Sequence, residues 1–112
     1  MASDERHRRV ALNEALFREV NERLGDINDT LSSVTGVMVI ICECGDLACT
    51  QQLTIPETNY EHLRSDPTWF AIVPGHGVAT VEVIVSRHDG YDIVQKREGT
   101  AAAHAEATDP RA

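Results

Sequence analysis

The amino-acid sequence predicts an α+β fold in which a long N-terminal amphipathic helix precedes a small, mainly antiparallel sheet with one or two short helices. Residues 4–24 contain no Gly or Pro and consist mostly of good helix formers. Farther along the chain, short apolar and β-branched runs are separated by turn residues, which is typical of strands. We therefore expect a helical arm at 1–35, a small α+β domain at 36–97 and a disordered, Ala-rich tail at 98–112.

The composition limits the classes of partner and the compartment. The 112 residues include 18 Asp and Glu against 10 Lys and Arg, a formal net charge of −8. Because proteins bind nucleic acids and anionic membranes largely through Lys and Arg, we expect neither as a partner. The chain has no apolar run of 18 residues and no secretory signal at its N-terminus, so we expect a cytoplasmic protein.

The N-terminal arm has the period of a coiled coil. Its apolar residues recur in two heptad columns, with Val10, Phe17, Leu24 and Leu31 in one and Val20, Ile27 and Val34 in the other. Asn13 interrupts the second column, and a buried Asn at such a position can fix register and strand number. Two interpretations remain open: the helix packs against the chain's own sheet, or two copies pair through it as a homodimer.

All three cysteines fall within eight residues in the middle of the chain. They follow the continuous apolar run VMVIIC at 37–42, which is expected of a strand buried on both faces. Residues two apart on an extended chain point to the same side, so the sulfurs of Cys42 and Cys44 converge while Glu43 faces away. The sequence thus predicts two neighbouring thiols at the end of a strand.

The predicted hairpin turns at Gly45, and Cys49 then precedes a second strand at 50–53, which brings three thiols together at the hairpin tip. A disulfide is disfavoured because the cysteine count is odd and a cytoplasmic protein is normally reduced. Inert buried thiols, redox chemistry and iron chemistry remain open. The pattern C-x-C-x4-C favours a tetrahedral zinc site made of one histidine and three thiolates, those of Cys42, Cys44 and Cys49.

Two histidines compete as the fourth ligand. His76 lies in the sequence Pro-Gly-His-Gly, where the glycines give the backbone freedom to carry the imidazole to the hairpin tip. His88 precedes Asp89-Gly90 and is the main competitor. The glycine-flanked position favours His76 as the ligand.

Such a site predicts a structural role. Zinc held by three thiolates and one imidazole has no open position for water or substrate. The sequence also lacks HExxH, G-x-S-x-G and Gly-rich phosphate-loop motifs, so we expect no enzyme. Because the segment 36–97 is smaller than the roughly 70–80 residues at which a core alone suffices, zinc would stabilise its fold.

The remaining elements follow from local patterns. Residues 56–64 (PETNYEHLR) predict a short helix with Pro in its first turn, in which Tyr60 and Leu63 face the core. Residues 69–73 (WFAIV) predict another buried strand.

Residues 78–88 fit two structures. Their β-branched residues favour a strand that Asp89-Gly90 joins to a partner strand at 91–94. Apolar residues at helical spacing in the same segment also allow a helix. In the hairpin, the expected cross-strand pairs are Arg87 with Asp92 and Glu82 with Arg97.

Most of the chain resembles a group of small uncharacterised actinobacterial proteins. The similar stretches are RRVALNEALFREVNERL, CECGDLACT, YEHLRSDPTWFAIVPGH and SRHDGYDIVQK, which include a C-x-C-G-x3-C element and a P-G-H element. The resemblance implies a helix at 79–88 and supports His76 as the fourth ligand. It implies no activity.

Together these observations predict a small zinc-stabilised regulatory or adaptor module that acts through protein–protein contacts with an unknown partner. The first alternative is a thiol or metal redox sensor, in which oxidation of the cysteines releases zinc. The second alternative is a metal-dependent enzyme, which would require an open position on the metal.

Overall fold

The computed structural model describes residues 2–27, 34–77 and 81–111 and confirms the α+β class. The elements of the described chain are α1 (Ala2–Ile27), β1 (Val37–Ile41), β2 (Gln52–Pro56), α2 (Glu57–Arg64), β3 (Trp69–Ile72), β4 (Glu82–His88), β5 (Tyr91–Lys96) and α3 (Thr100–Ala107). The strands form two small antiparallel sheets, β1–β2 and β3–β5–β4, where the sequence predicted one. Among the described helices, none combines the length and hydrophobicity that a bilayer span requires.

The β1–β2 hairpin has one buried face. Met38 and Ile40 on β1 are buried, whereas Val37 and Val39 are 42% and 53% exposed. The expectation of a strand buried on both faces is therefore wrong, because nothing in the described chain covers its outer side. The strands pair from Val37 opposite Pro56 to Ile41 opposite Gln52, so a long loop at 42–51 replaces the predicted tight turn.

Helix α2 and strand β3 begin within one residue of their predicted positions. Pro56 is the N-cap residue of α2, and Tyr60 and Leu63 are buried as expected. Both side chains belong to the core between the helix and the sheets, whose buried members are Met38, Ile40, Leu53, Ile55, Tyr60, Leu63, Ala71, Tyr91 and Ile93.

Strand β4 settles the ambiguity of the segment that precedes Asp89-Gly90. Residues 82–88 are a strand, so the helix that the resemblance implies is wrong there; residues 79 and 80 lie outside the described residues. Arg87 pairs with Asp92 as predicted. Glu82 pairs with Lys96 instead of Arg97, because a β-bulge between Ile84 and Ser86 takes up one residue.

Helix α1 presents a polar stripe to the rest of the molecule. Its most deeply buried side chains are Glu14, Arg18 and Asn21, while Leu12 and Leu16 are 51% and 54% exposed. The predicted heptad residues are half-buried within the chain, namely Val10, Asn13, Phe17, Val20 and Leu24. Leu31 lies outside the described residues, and Val34 is exposed. The homodimer remains a prediction.

Helix α3 occupies part of the segment expected to be disordered. Its Ala102 and Ala105 are buried, and Arg18 of α1 donates a hydrogen bond to the Ala105 carbonyl at 2.8 Å. Small alanine side chains let a helix approach its neighbour closely, so an Ala-rich segment can pack without a conventional apolar stripe. The prediction of disorder from composition is therefore wrong for Thr100–Ala107.

Candidate metal centre

Three thiols and one imidazole meet at the end of the β1–β2 hairpin. The ligand atoms of Cys42, Cys44, Cys49 and His76 all lie within 4.8 Å of one another. The sulfurs of Cys42 and Cys49 are each 3.7 Å from His76 Nδ1. A tetrahedral zinc ion with bonds of about 2.3 Å to sulfur and 2.0–2.1 Å to nitrogen separates its ligand atoms by roughly 3.5–3.8 Å. The four predicted residues are thus spaced to hold a metal ion.

The loop at 42–51 places the cysteines by backbone hydrogen bonds. Cys42 N donates to the Gln51 carbonyl at 3.0 Å and extends the hairpin by one residue. Gly45 then has a φ of +79°, which glycine adopts without a steric penalty. Asp46 accepts at its carbonyl from Cys49 N at 2.9 Å, and this turn returns the third thiol to the first two.

A second loop supplies the histidine. Beyond β3, His76 N donates to the Val73 carbonyl at 3.0 Å, and this turn directs the imidazole back toward Cys42 and Cys49. His88 lies elsewhere, exposed on β4 and stacked on Tyr91 with ring centroids 4.6 Å apart. Of the two candidates for the fourth ligand, only His76 is in the cluster.

Burial controls the protonation of the inner thiols. Desolvation raises the pKa of Cys42 to about 12 and raises the pKa of Cys44 as well. Val73 N donates to Cys42 Sγ at 3.2 Å, and this hydrogen bond favours the thiolate and lowers its pKa. Without a metal both groups are neutral thiols near pH 7, so a cation must displace their protons.

Glu43 anchors the loop on the side away from the sulfurs. Its carboxylate is fully buried and accepts hydrogen bonds from Arg64 Nη2 at 2.5 Å, Asn21 Nδ2 at 2.7 Å and Ala71 N at 3.0 Å. The sequence predicted that Glu43 faces away from the thiols, but it revealed none of these partners. The only indication in the sequence was the position of Glu43 between two cysteines expected to be buried. A buried carboxylate requires hydrogen-bond partners, but the sequence does not identify them.

Helix α1 packs directly on the same loop. Asn13 Nδ2 donates to the Gly45 carbonyl at 2.9 Å. A Cβ at Gly45 would lie 2.7 Å from the Val10 carbonyl oxygen, so the contact leaves no room for a side chain. Asn13, which lies in one of the two heptad columns, thus forms a contact between the helix and the loop at 42–51.

A second buried charge cluster lies beside Gly45. Lys96 Nζ is 2.5 Å from Glu14 Oε2 and 2.6 Å from Glu82 Oε2. Desolvation raises the pKa of Glu14 to about 8, against the opposing effect of Lys96. Glu14 Oε1 is buried and has no hydrogen-bond partner within the described residues.

The four donors give the site its chemical character. A divalent cation bound here by three thiolates and one neutral imidazole would have four protein ligands and a net charge of −1. Such a cation would cross-link Cys42, Cys44, Cys49 and His76, which come from two separate loops. No protein-family model, curated protein or solved structure matches the chain.

Proposed function

We propose that this chain is a small zinc-stabilised module with a regulatory or adaptor role, carried out through protein–protein contacts. The observation that supports the proposal is the Cys₃His cluster, whose ligand atoms lie within 4.8 Å of one another. Four protein donors complete a tetrahedral shell and leave no position for water or substrate, which is typical of structural zinc. The same closed shell disfavours the metal-dependent enzyme.

The donor set favours zinc over other metals. Thiolates with an imidazole in a tetrahedral arrangement suit zinc, whereas magnesium and calcium prefer oxygen ligands. The small size of the domain gives the metal a physical role, because a structural zinc can contribute on the order of 10 kcal/mol to folding.

The exposed apolar side chains support a protein partner. Leu12 and Leu16 lie one turn apart on the outer side of α1 and are each about half exposed, and Val39 is 53% exposed on the uncovered face of β1. A net charge of −8 disfavours a nucleic acid. On this proposal the partner is another protein or a second copy of this chain, which contacts α1.

One observation favours the redox sensor as a second candidate. Three sulfurs share one cluster, and Cys49 is only partly buried, so an oxidant can reach it. Peroxide would oxidise two of the thiolates to a disulfide and take up two protons to form two waters, and the zinc ion would leave. Zinc release measured with a chelating dye during peroxide titration tests this candidate, because an inert structural site retains its metal.

Elemental analysis of the purified protein tests the main proposal. We expect one zinc per wild-type chain, and loss of that zinc in Cys44→Ser and His76→Ala together with part of the folded circular-dichroism signal. His88→Ala is the matched control and keeps its zinc, because that ring lies outside the cluster. A wild-type protein that is folded and metal-free would overturn the proposal.

A further inference from the structure

We propose that helix α1 and the metal bind cooperatively to opposite sides of one segment, residues 41–45, so that loss of the metal loosens the helix. The inference rests on the proposed zinc site. It adds that Asn13 and Asn21, which touch no metal ligand atom, are positioning residues for that site.

The first step is the contact between Asn21 and the loop. The Asn21 side chain accepts a hydrogen bond from Ile41 N at 2.8 Å and donates to the Ile41 carbonyl at 2.9 Å. It also donates to Glu43 Oε2 at 2.7 Å. One buried amide therefore satisfies both backbone groups of Ile41 and one carboxylate oxygen.

The second step is the alternation of contacts along the segment. Ile41, Glu43 and Gly45 bind α1, whereas Cys42 and Cys44, between them, carry metal ligands. A metal that joins the two cysteines restricts the backbone on both sides of Glu43. The positions of Ile41, Glu43 and Gly45, which bind α1, then depend on the metal–sulfur bonds of the cysteines between them.

The third step is the polar character of the docked face of α1. Asn21 is fully buried, and a buried amide is costly unless its hydrogen bonds are kept. Leu12 and Leu16 point toward solvent, so apolar burial contributes less to docking than is usual for an amphipathic helix. Docking of α1 therefore requires the backbone of residues 41–45 to stay in the positions where Asn13 and Asn21 can form hydrogen bonds with it.

Other contacts limit the effect to a loosening. Glu14 binds Lys96, and Arg18 binds the carbonyls of Pro67 and Ala105, all outside the loop. By linkage, the factor by which metal strengthens docking equals the factor by which docking strengthens metal binding. The metal would thereby control how firmly α1 is docked, and α1 carries Leu12 and Leu16, the exposed residues proposed to contact a protein partner.

Zinc affinity measured in competition with a chromophoric chelator tests the coupling. In the full chain, Asn21→Ala and Asn13→Ala should each weaken zinc binding by about 10–100-fold, the range typical of groups that orient metal ligands. Asn59→Ala is the matched control, because Asn59 donates to the Tyr91 hydroxyl, which is not part of the loop, and its loss should leave the affinity unchanged.

If an Asn variant fails to fold, hydrogen exchange on the wild-type protein tests the coupling between metal binding and helix docking. Removal of zinc should speed exchange of the α1 amides by at least tenfold. Equal α1 protection with and without zinc, or an Asn21→Ala affinity equal to that of the control, would overturn the coupling. A wild-type protein that binds no zinc would instead show that the proposed metal site itself is wrong.

Discussion

Arg64 donates from a single nitrogen, Nη2, to both carboxylate oxygens of Glu43 at 2.5 Å, and the two side chains are only 2% and 0% exposed. Because Glu43 lies between Cys42 and Cys44 in sequence, this ion pair connects α2 to the loop at 42–51 that carries the candidate metal ligands. Burying two charges is tolerable only while each compensates the other.

Replacing one partner of this pair should destabilise the fold strongly. Arg64→Met leaves the Glu43 carboxylate buried without its counter-charge, and we expect the free energy of unfolding to fall by about 3–5 kcal/mol in urea denaturation. The double variant Arg64→Met, Glu43→Gln should recover part of the loss, because neither position then carries a buried, uncompensated charge. A single variant as stable as the wild type would show that the pair is dispensable.

Gly45→Ala should cost more stability than Gly90→Ala. Both glycines have a positive φ, +79° and +86°, so both substitutions carry the left-handed penalty of about 1–2 kcal/mol. A Cβ at Gly90 meets nothing within 4 Å, whereas one at Gly45 would lie 2.7 Å from the Val10 carbonyl oxygen. Chemical denaturation of the two variants isolates the clash with α1, and equal losses would contradict the close packing of the helix on the loop.

Zinc affinity should rise with pH. The pKa of Cys42 is raised to about 12 and that of Cys44 is also raised, so both metal-free groups hold protons at neutral pH and must release them on binding. Each proton released strengthens apparent binding by roughly tenfold per pH unit. Competition titrations at pH 6, 7 and 8 measure the slope, and a flat profile would mean that the thiols do not coordinate as thiolates.

Glu14 should make the protein less stable as the pH rises toward 8. Its pKa is raised from 4.5 to about 8, so between these values the folded state binds a proton that the unfolded state has lost. The contribution is complete below about pH 4.5 and disappears as the pH passes through 8. Glu14→Gln removes the titrating group, so its unfolding free energy should decline less over this window. Parallel pH profiles for the two proteins would contradict the raised pKa.

Local sequence patterns were sufficient to predict the elements whose structure is decided within a few residues. Tyr60 and Leu63 were assigned to the core because they lie three residues apart on a short helix, and both are buried. The β-branched residues at 78–88 and the following Asp89-Gly90 turn favoured a strand, which the structure shows at 82–88, whereas the resemblance implied a helix. The proximity of Cys42, Cys44, Cys49 and His76 was also predicted, because clustered thiols and a glycine-flanked imidazole indicated a shared metal site.

Contacts between distant residues could not be predicted in this way. Arg18 binds the carbonyls of Pro67 and Ala105, which are 49 and 87 residues away, and no local period encodes such partners. One of these partners, Ala105, lies on α3, whose alanines showed no apolar stripe in the sequence. The heptad pattern of α1 left Leu12 and Leu16 outside both columns, and both are about half exposed. It gave no sign that the polar side chains of Glu14, Arg18 and Asn21 would be buried more deeply than the heptad residues.

The separation between Glu14 and Lys96 also has a consequence for the order of events during synthesis. The two residues are 82 positions apart, and at about 5–20 residues per second a ribosome needs roughly 4–16 s to travel between them. During that interval the lysine that contacts the inward-facing Glu14 of α1 has not been made. The Glu14–Lys96 contact can therefore form only late in synthesis, well after Asn21 can reach Ile41, which is 20 residues away.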